Sequence, residues 1–275
     1  MDLNKLVFSN KENLQKFNTI TKYPSIATYH EIDKGKLKTN LTPNSFADDE
    51  YVFITEKIDG TNSRIIYYNG DFIIGSRESL LYAKGDRIGD PAQRIVETVK
   101  PVTKAFDYFD VAKHLSPNTI YVFYGESYGG KITGASRQYT VNENLTNFRL
   151  FDVAKISLEE IIDLIEQPIE KLALWREGSG DGHDKFMDVN AVNAFANHLN
   201  IRAVPIRKRC TADYIPKTLE EVYEWLANYN LSVATIDEDH NGLAEGVVVR
   251  NFDRSIIRKI RFQDYERTLG LKKTR

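Results

Sequence analysis

The chain has 275 residues, 41% of them hydrophobic and 28% charged, which allows a substantial core and is typical of a globular protein. The formal net charge of −2 excludes a general basic field, so a nucleic-acid partner would have to bind a local basic patch. Cys210 is the single cysteine, which excludes a disulfide framework and a cysteine-rich zinc site and is typical of a reducing compartment.

The sequence lacks signals of export and membrane insertion. No run approaches the ~18–20 apolar residues of a membrane helix, and the first residues lack the apolar segment of a signal peptide. The five histidines are scattered without ligand spacing and are expected to be surface or packing residues. We therefore expect a cytoplasmic protein that has no membrane partner.

The first 50 residues mix short apolar and polar pieces. Lysines alternate at Lys34, Lys36 and Lys38. This pattern predicts a solvated loop face, and a lip that contacts phosphate is the functional alternative.

A strand is predicted over Tyr51–Thr55, because this run alternates and is rich in β-branched and aromatic residues. The strand leads into Glu-Lys-Ile-Asp-Gly-Thr-Asn at residues 56–62. A lysine amine becomes a covalent nucleophile once neighbouring cations or desolvation favour its neutral form. Asp59 would lie on the same side of an extended chain as Lys57, where it could hold that amine or a metal. Ordinary turn chemistry at the end of a surface strand is the alternative interpretation.

A β-hairpin follows. Asn69-Gly70 stands between two apolar runs, at 64–68 and 71–74, which is the strongest short signal of a hairpin. We expect the meander to end at Gly75-Ser76-Arg77. Residues 91–113 then predict a helix that is interrupted near Pro101.

The rest of the chain alternates predicted strands and helices. Strands are predicted at 119–124 (closing on Gly125-Glu126), 148–153, 244–250 and 255–262. Capping boxes at Ser157 and Thr218 each open an amphipathic helix, and a further helix is predicted around 190–199. Gly129-Gly130-Lys131 and residues 177–184 predict loops. The predicted class is α+β, with antiparallel sheets and helices packed against them.

Charged side chains recur at or near the ends of the predicted strands. They are Lys57 with Asp59, Arg77, Glu126, Glu245, and Lys259 with Arg261. Charges that are buried at such positions are costly unless they are paired or bind a ligand. If they point into one groove, the pattern indicates a site for a polyanion and a metal.

The order and type of these segments resemble the covalent nucleotidyltransferases: ATP-dependent DNA ligases, RNA ligases and mRNA capping enzymes. The resemblance is greatest to RNA ligases of the phage RNA ligase 2 type, whose Lys-x-(His/Asp)-Gly-x-Asn signature stands here at residues 57–62. The arginine that follows the lysine by twenty residues in this branch falls on Arg77, and Tyr23-Pro24-Ser25-Ile26 also resembles a segment of the branch. The similarity spans roughly residues 22–262.

The resemblance implies a nucleotidyltransferase (ATP-grasp-like ligase) fold, with antiparallel sheets flanked by helices and the nucleotide in a central groove. Lys57 would attack the α-phosphate of ATP and release pyrophosphate. Glu56 would bind the adenine amine, Phe151 would stack on adenine, and Asn62 and Arg77 would contact the phosphate and the donor end. Glu126 would contact the ribose or a water bound to the metal, and Asp59 and Glu245 would contact other waters of the metal. Lys259 and Arg261 would contact the α-phosphate. Ile58, within the signature, would contact the nucleotide. Mg²⁺ or Mn²⁺ is the implied metal.

Arg261 departs from the lysine that is common in this branch. Arginine offers a planar fork of donors, whereas lysine offers a compact point charge.

We expect one adenylyltransferase domain over residues 1–275, with an N-terminal segment (1–50), a motif-bearing core (51–265) and no appended OB-fold. The expected function is ATP-dependent ligation of RNA ends or nicks by a monomer. The alternatives are a minimal DNA ligase or guanylyltransferase and, from a different class, a non-catalytic nucleic-acid-binding module.

Overall fold

The structure is a computed structural model that describes residues 3–89, 94–108, 115–178, 185–238 and 240–272. The chain divides into two compact units. Unit 1 comprises Met1–Ser25, Thr61–Ser127 and Phe148–Ala203, and unit 2 comprises Ile26–Gly60, Tyr128–Asn147 and Val204–Arg275. The assignment of one adenylyltransferase domain to residues 1–275 stays a prediction. No helix in the described part of the chain is long and apolar enough to cross a membrane.

The described residues form helices and strands with the following bounds. The helices are α1 (Leu3–Val7), α2 (Lys11–Ile20), α3 (Ile95–Tyr108), α4 (Leu158–Ile165), α5 (Ile169–Gly178), α6 (Val189–His198), α7 (Leu219–Leu226) and α8 (Phe262–Leu269). The strands are β1 (Ala27–Thr28), β2 (His30–Asp33), β3 (Lys36–Leu41), β4 (Tyr51–Lys57), β5 (Thr61–Tyr68), β6 (Asp71–Ser76), β7 (Leu80–Ala83), β8 (Asp86–Arg87), β9 (Thr119–Gly129), β10 (Thr146–Ser157), β11 (Arg202–Ala203), β12 (Ile206–Thr211), β13 (Gly246–Asn251) and β14 (Ile257–Arg261).

Unit 1 contains a seven-stranded sheet with the order β11-β10-β9-β5-β6-β7-β8. Strand β5 pairs antiparallel with both β6 and β9. Apolar side chains lie on both faces of the sheet, because successive residues of a strand point to opposite sides. Ile65 belongs to a cluster that includes residues of α3 and α6, and Ile66 belongs to one that includes residues of α2, α4 and α5. The sheet is therefore covered by helices on both faces.

The predicted hairpin is confirmed as β5 and β6. Asn69 and Gly70 form its turn with φ angles of 48° and 88°, the left-handed conformation that a two-residue hairpin turn requires. The predicted capping boxes also begin helices: the side chains of Ser157 and Thr218 accept bonds from the backbone N–H three residues later. The helix expected around 190–199 is α6.

Strand β9 corrects the prediction that a strand closes at Gly125-Glu126, since it continues to Gly129. Gly125 lies inside the strand for a packing reason. A Cβ atom at this position would lie 2.2 Å from Cζ of Phe148, so only glycine allows the ring to lie against β9. Glu126 is therefore an interior residue of a long strand.

The predicted interruption near Pro101 is wrong: helix α3 runs through this residue. Proline removes one helical hydrogen bond, and the burial of Val99 and Phe106 in the core of unit 1 offsets this loss. Residues 91–93 and 109–113 of the predicted helix lie outside the described residues. In the loop predicted at 177–184, Glu177 and Gly178 end α5, and residues 179–184 are not among those described.

Unit 2 contains a five-stranded sheet with the order β1-β14-β13-β4-β12 and a two-stranded hairpin, β2 and β3. The predicted strand 51–55 is confirmed and extends to Lys57. One face of the sheet carries Ile54, Val247 and Ile260, which pack in a cluster that includes residues of α7 and α8. The hairpin corrects the expected loop at the alternating lysines: Lys34 takes the turn with φ 46°, and Lys36 and Lys38 lie exposed on β3.

The edge strand β12 was not predicted. Its sequence, Ile-Arg-Lys-Arg-Cys-Thr, has few apolar residues because its side chains are largely exposed or half-buried. Charged side chains are common on edge strands, where they discourage pairing with other chains. The predicted α+β class, with antiparallel sheets flanked by helices, is confirmed.

Candidate active site

Three neighbouring strands of unit 2 bring the lysine of the signature beside two other predicted residues. The register pairs Gly246 of β13 with Lys57 of β4 on one side and with Arg261 of β14 on the other. Directly paired residues of antiparallel strands point to the same face. Lys57 and Arg261 therefore lie on one face at the same end of the sheet.

Gly246 allows the strands to approach at this end. A Cβ atom at this position would lie 2.1 Å from the carbonyl oxygen of Ile260, so a side chain cannot be accommodated without displacing β14. Glu245, immediately before β13, is held from both sides: its N–H donates to Lys57 O (3.2 Å), and its carbonyl oxygen accepts from Phe262 N (3.2 Å). The backbone therefore fixes Glu245 beside the two cations.

The side chain of Glu245 bridges the two cations. Lys57 Nζ lies 2.5 Å from Glu245 Oε2, and Arg261 Nη1 lies 3.6 Å from Glu245 Oε1. The side chains of Lys57, Glu245 and Arg261 are 25%, 14% and 24% exposed, so the network is half-buried and still reachable by a ligand. Such a site can bind an anion and keep an amine next to a proton acceptor.

Arg261 is itself oriented by Asp264, three residues later in the first turn of α8. Its Nε and Nη2 donate to the two carboxylate oxygens of Asp264 at 2.8 and 3.0 Å, and Arg267 Nη2 donates to Asp264 as well (3.0 Å). Burial acts to lower the pKa of Arg261, but the bond and charge of Asp264, with the charge of Glu245, outweigh it and raise that pKa. The guanidinium is thus a fixed cation.

Lys259 lies on the same face, two residues before Arg261. It is paired with Val248 of β13 and Thr28 of β1, two residues before the end of β14. Its side chain is half-buried, as are those of Thr55 and Val248 in neighbouring strands. We call the half-buried residues Thr55, Lys57, Val248, Lys259 and Arg261 the charged face of the unit 2 sheet.

Glu56 points to the opposite side from Lys57 and is 2% exposed. Its carboxylate accepts bonds from Ser232 Oγ (2.5 Å) and Val233 N (2.8 Å), and Arg207 Nη1 lies at 3.3 Å. A carboxylate has about four acceptor positions, so three donors of unit 2 already occupy most of them. Glu56 holds the segment before Glu245, and its contact with adenine stays a prediction.

Tyr139 holds the turn that follows Lys57, a function that the sequence did not indicate. The N–H of Asp59 donates to Tyr139 Oη at 2.6 Å. The ring is fully buried and packs in a small cluster with Ile58, Tyr128 and Ala234. Burial, and then the charges of Glu56, Asp59 and Glu245, raise the pKa of Tyr139 well above its ordinary value, so the phenol is neutral.

The predicted residues of unit 1 include a second pair. Asn62 of β5 is paired in register with Glu126 of β9, so the two side chains are neighbours on one face of the sheet. Asn62 Oδ1 is buried and has no hydrogen-bond partner among the described residues. A buried acceptor without a donor costs free energy. This atom is therefore free to accept a bond from a ligand.

Arg77 and Phe151 have more local surroundings. Arg77 lies in the turn after β6 with 64% of its side chain exposed, and its Nε is 3.7 Å from Glu78 Oε1. Phe151 is half-buried and packs edge-on against Tyr23, with ring centroids 5.0 Å apart. The contact of Arg77 with the donor end and the contact of Phe151 with adenine stay predictions.

The described residues contain no group of three or more His, Cys, Asp and Glu side chains arranged to hold a metal ion. Asp59 and Glu245 in unit 2 and, separately, Glu126 in unit 1 offer carboxylate oxygens, which are the ligands that Mg²⁺ prefers. Because Mg²⁺ keeps several of its waters, carboxylates can hold it through those waters without forming a close cluster. The donor chemistry fits the implied metal.

Residues 50–264 match the model of the RNA ligase family, and the chain belongs to this family. The resemblance to nucleotidyltransferases that the motifs indicated is thereby confirmed. No curated protein matches the sequence.

Solved structures of Naegleria gruberi RNA ligase share the fold. The apo form of a mutant has a TM-score of 0.51 and 13% identity, covering 92% of this chain and 62% of that chain. A mutant with ATP and Mn has a TM-score of 0.51 and 13% identity, covering 90% and 64%. The protein with PPi has a TM-score of 0.50 at the same identity and coverage. This chain thus spans less than two thirds of the length of these relatives.

Proposed function

We propose that this chain is an ATP-dependent RNA ligase, which joins a 5′-phosphate end to a 3′-hydroxyl end through a lysyl–AMP intermediate. The observation that carries the proposal is the Lys57 amine, held by Glu245 at 2.5 Å on a face with two further cations, at the start of the family signature. Membership of the RNA ligase family supports RNA as the substrate.

In the first step, the neutral amine of Lys57 attacks the α-phosphorus of ATP. The N–P bond forms as the bond between that phosphorus and the bridging oxygen breaks, and pyrophosphate leaves. The amine must lose a proton, and Glu245 Oε2 lies 2.5 Å from it as an acceptor. Lys259 and Arg261 stabilise the negative charge that develops on the phosphate oxygens.

In the second step, the AMP group moves from Lys57 to the 5′-phosphate of RNA, which forms a new phosphoanhydride and frees the amine. In the third step, a 3′-hydroxyl attacks that 5′-phosphate and AMP leaves. Both steps place negative charge on phosphate oxygens, so the cations of the charged face suit all three.

The residues of unit 1 are assigned to the nucleotide and the donor end. The unpartnered Asn62 Oδ1 and the neighbouring carboxylate of Glu126 suit hydroxyl or amine donors of a ligand. Arg77 is exposed and suits the 5′-phosphate, and Phe151 offers an aromatic face for adenine. Asp59, Glu126 and Glu245 would hold a divalent metal through its waters. The metal would supply further charge neutralisation at the phosphates.

The domain assignment is part of the proposal. The family match over residues 50–264 supports a motif-bearing core at 51–265. A structural relative was solved with ATP and Mn, which supports ATP and Mg²⁺ or Mn²⁺ as cofactors of this chain.

Labelled nucleotide tests the proposal directly. The protein is incubated with Mg²⁺ and ATP labelled at the α-phosphate, with GTP in a parallel sample, and examined on a denaturing gel. We expect label on the protein from ATP only, and its loss to RNA when nicked RNA is added. Label from GTP would indicate a guanylyltransferase, and transfer only to nicked DNA would indicate a DNA ligase. No labelled protein would refute the covalent mechanism.

A further inference from the structure

The turn that carries Asp59 and Gly60 begins where the sheet ends. Lys57 is the last residue of β4, and the pairing of this strand with β13 ends there. Rates of group transfer are sensitive to the position of the attacking atom, and a displacement of about 1 Å costs as much as 10²-fold. Some other contact must therefore fix the turn if Lys57 is to keep one position.

Tyr139 supplies that contact from a distant part of the chain. Its Oη accepts the Asp59 N–H at 2.6 Å, a short and partly buried bond. On the same turn, Ile58 packs into the cluster that contains the Tyr139 ring. The side chain thus holds the turn by one hydrogen bond and one apolar contact.

Tyr139 is itself held by its ring and by its backbone. It packs edge-on against Tyr128 with centroids 5.0 Å apart, and it is fully buried. Its backbone N–H donates to Ser136 O (3.0 Å), and its carbonyl oxygen accepts from Ile236 N (2.8 Å). The phenol therefore cannot move without disturbing two segments of unit 2.

One of these segments directly precedes Glu245 in the chain. The segment before Glu245 (residues 231–238 and 240–244) is joined to the Tyr139 segment at two points. Leu243 N donates to Gln138 Oε1 (2.8 Å), and the backbone of Gly242 lies so close that a Cβ there would be 1.5 Å from Gln138 O. The same segment is bound by Glu56 through Ser232. One framework thus supports both the turn after Lys57 and the approach to Glu245.

We propose that Tyr139 is a positioning residue, whose hydroxyl fixes the Lys57–Gly60 turn so that the amine is held in its attacking position. This inference rests on the proposed function, since it concerns the rate at which Lys57 forms its adduct. The phenol does not touch the reacting atoms, and its effect is carried through the backbone of Asp59.

Tyr139→Phe removes the hydroxyl and keeps the ring. We expect the Asp59 amide to exchange with solvent at least about tenfold faster, since it loses its buried acceptor. We expect the single-turnover rate of adduct formation at saturating ATP to fall about 10- to 100-fold, with a KM for ATP within about twofold of the parent. Amide exchange by NMR and rapid-quench labelling provide the two readouts.

Tyr265→Phe is the matched control. Tyr265 is also buried in unit 2, and its hydroxyl makes one buried bond, to His30 Nδ1 at 2.8 Å. A comparable loss of thermal stability in both variants, with slow chemistry only in Tyr139→Phe, supports positioning. Unchanged exchange of the Asp59 amide, or equal rates in the two variants, would overturn the inference. A parent protein that forms no adduct would refute the proposed function alone, since the exchange measurement does not depend on activity.

Discussion

The two units present their candidate functional residues in opposite ways. In unit 2, the charged groups are already paired with one another: Glu245 bridges Lys57 and Arg261, and Asp264 holds Arg261. In unit 1, Asn62 Oδ1 is buried without a partner among the described residues, and Arg77 is exposed, with only a 3.7 Å contact to the exposed Glu78 among the ion pairs described.

The difference follows from what each set is proposed to do. A reacting amine and the cations around it must be placed before the substrate arrives, because reorganising charges during the reaction is costly. Groups that only bind a ligand can stay unpaired until the ligand binds, and an unpaired acceptor then gains a hydrogen bond. Paired residues should therefore determine the rate of chemistry, and unpaired ones should determine affinity.

The largest expected effect is that of Lys57→Ala, which removes the proposed nucleophile. We expect no detectable adduct with labelled ATP and an unchanged circular dichroism spectrum, because Lys57 lies half-buried at the end of its strand. Lys36→Ala, on the exposed hairpin β2–β3, should label like the parent. Persistent labelling in the first variant would show that another residue is the nucleophile.

Glu245→Gln keeps the shape of the side chain and removes its charge. We expect adduct formation to slow about 10²- to 10³-fold at saturating ATP, since the lysine loses its acceptor and the network its central anion. Glu220→Gln, an exposed position at the start of α7, serves as the control. A change in KM alone, with an unchanged maximal rate, would place Glu245 among the binding residues.

The Arg261–Asp264 pair tests what arginine contributes at a position where the resemblance to RNA ligases implied a lysine. A lysine at 261 cannot reach Asp264 with two donors and Glu245 with a third, so we expect Arg261→Lys to slow adduct formation about 30-fold. Asp264→Asn should have a similar effect, and the double variant should be no slower than either single variant. Strictly additive losses would mean that the two residues act independently.

The sequence was sufficient to predict the strands that carry several candidate site residues. Alternation predicts the strands that carry Lys57, Lys259 and Arg261, the register then places the three on one face, and the hairpin at Asn69-Gly70 is a local signal. The signature itself led to the family that the comparison confirmed. Local periodicity and motif order thus carry the fold class and the main residues.

Other features depend on packing between distant segments and have no local signal. Tyr139 lies 80 positions from Asp59, and nothing in its neighbourhood marks it as different from other tyrosines. Gly125 resembles a turn glycine until the Phe148 ring is seen against it. The pairing of Asp264 with Arg261 could have been predicted, because an acidic residue three positions after an arginine at the start of a helix is a recognisable ion pair.

Asn62→Ala in unit 1 should have the smallest effect. It is also the sharpest test of the difference between residues that are paired before a ligand binds and residues that are not. Removing a buried acceptor that lacks a donor should leave the unfolding temperature unchanged or raise it, because an unsatisfied polar atom costs about 1–3 kcal/mol. The same change should weaken ATP binding about tenfold, since one hydrogen bond to the ligand is lost. Thermal unfolding and equilibrium binding of ATP measure the two quantities.

Asn13→Ala provides the contrast within unit 1, because its amide makes a bond to Leu6 O (3.1 Å) and another to Ser9 Oγ (3.0 Å). We expect this variant to unfold at a lower temperature and to bind ATP normally. If Asn62→Ala behaved in the same way, the Asn62 Oδ1 atom would have a structural function. The division between paired and unpaired residues would then not hold. A more stable protein with weaker binding would show that unit 1 keeps an unpaired atom at the cost of stability because a ligand uses it.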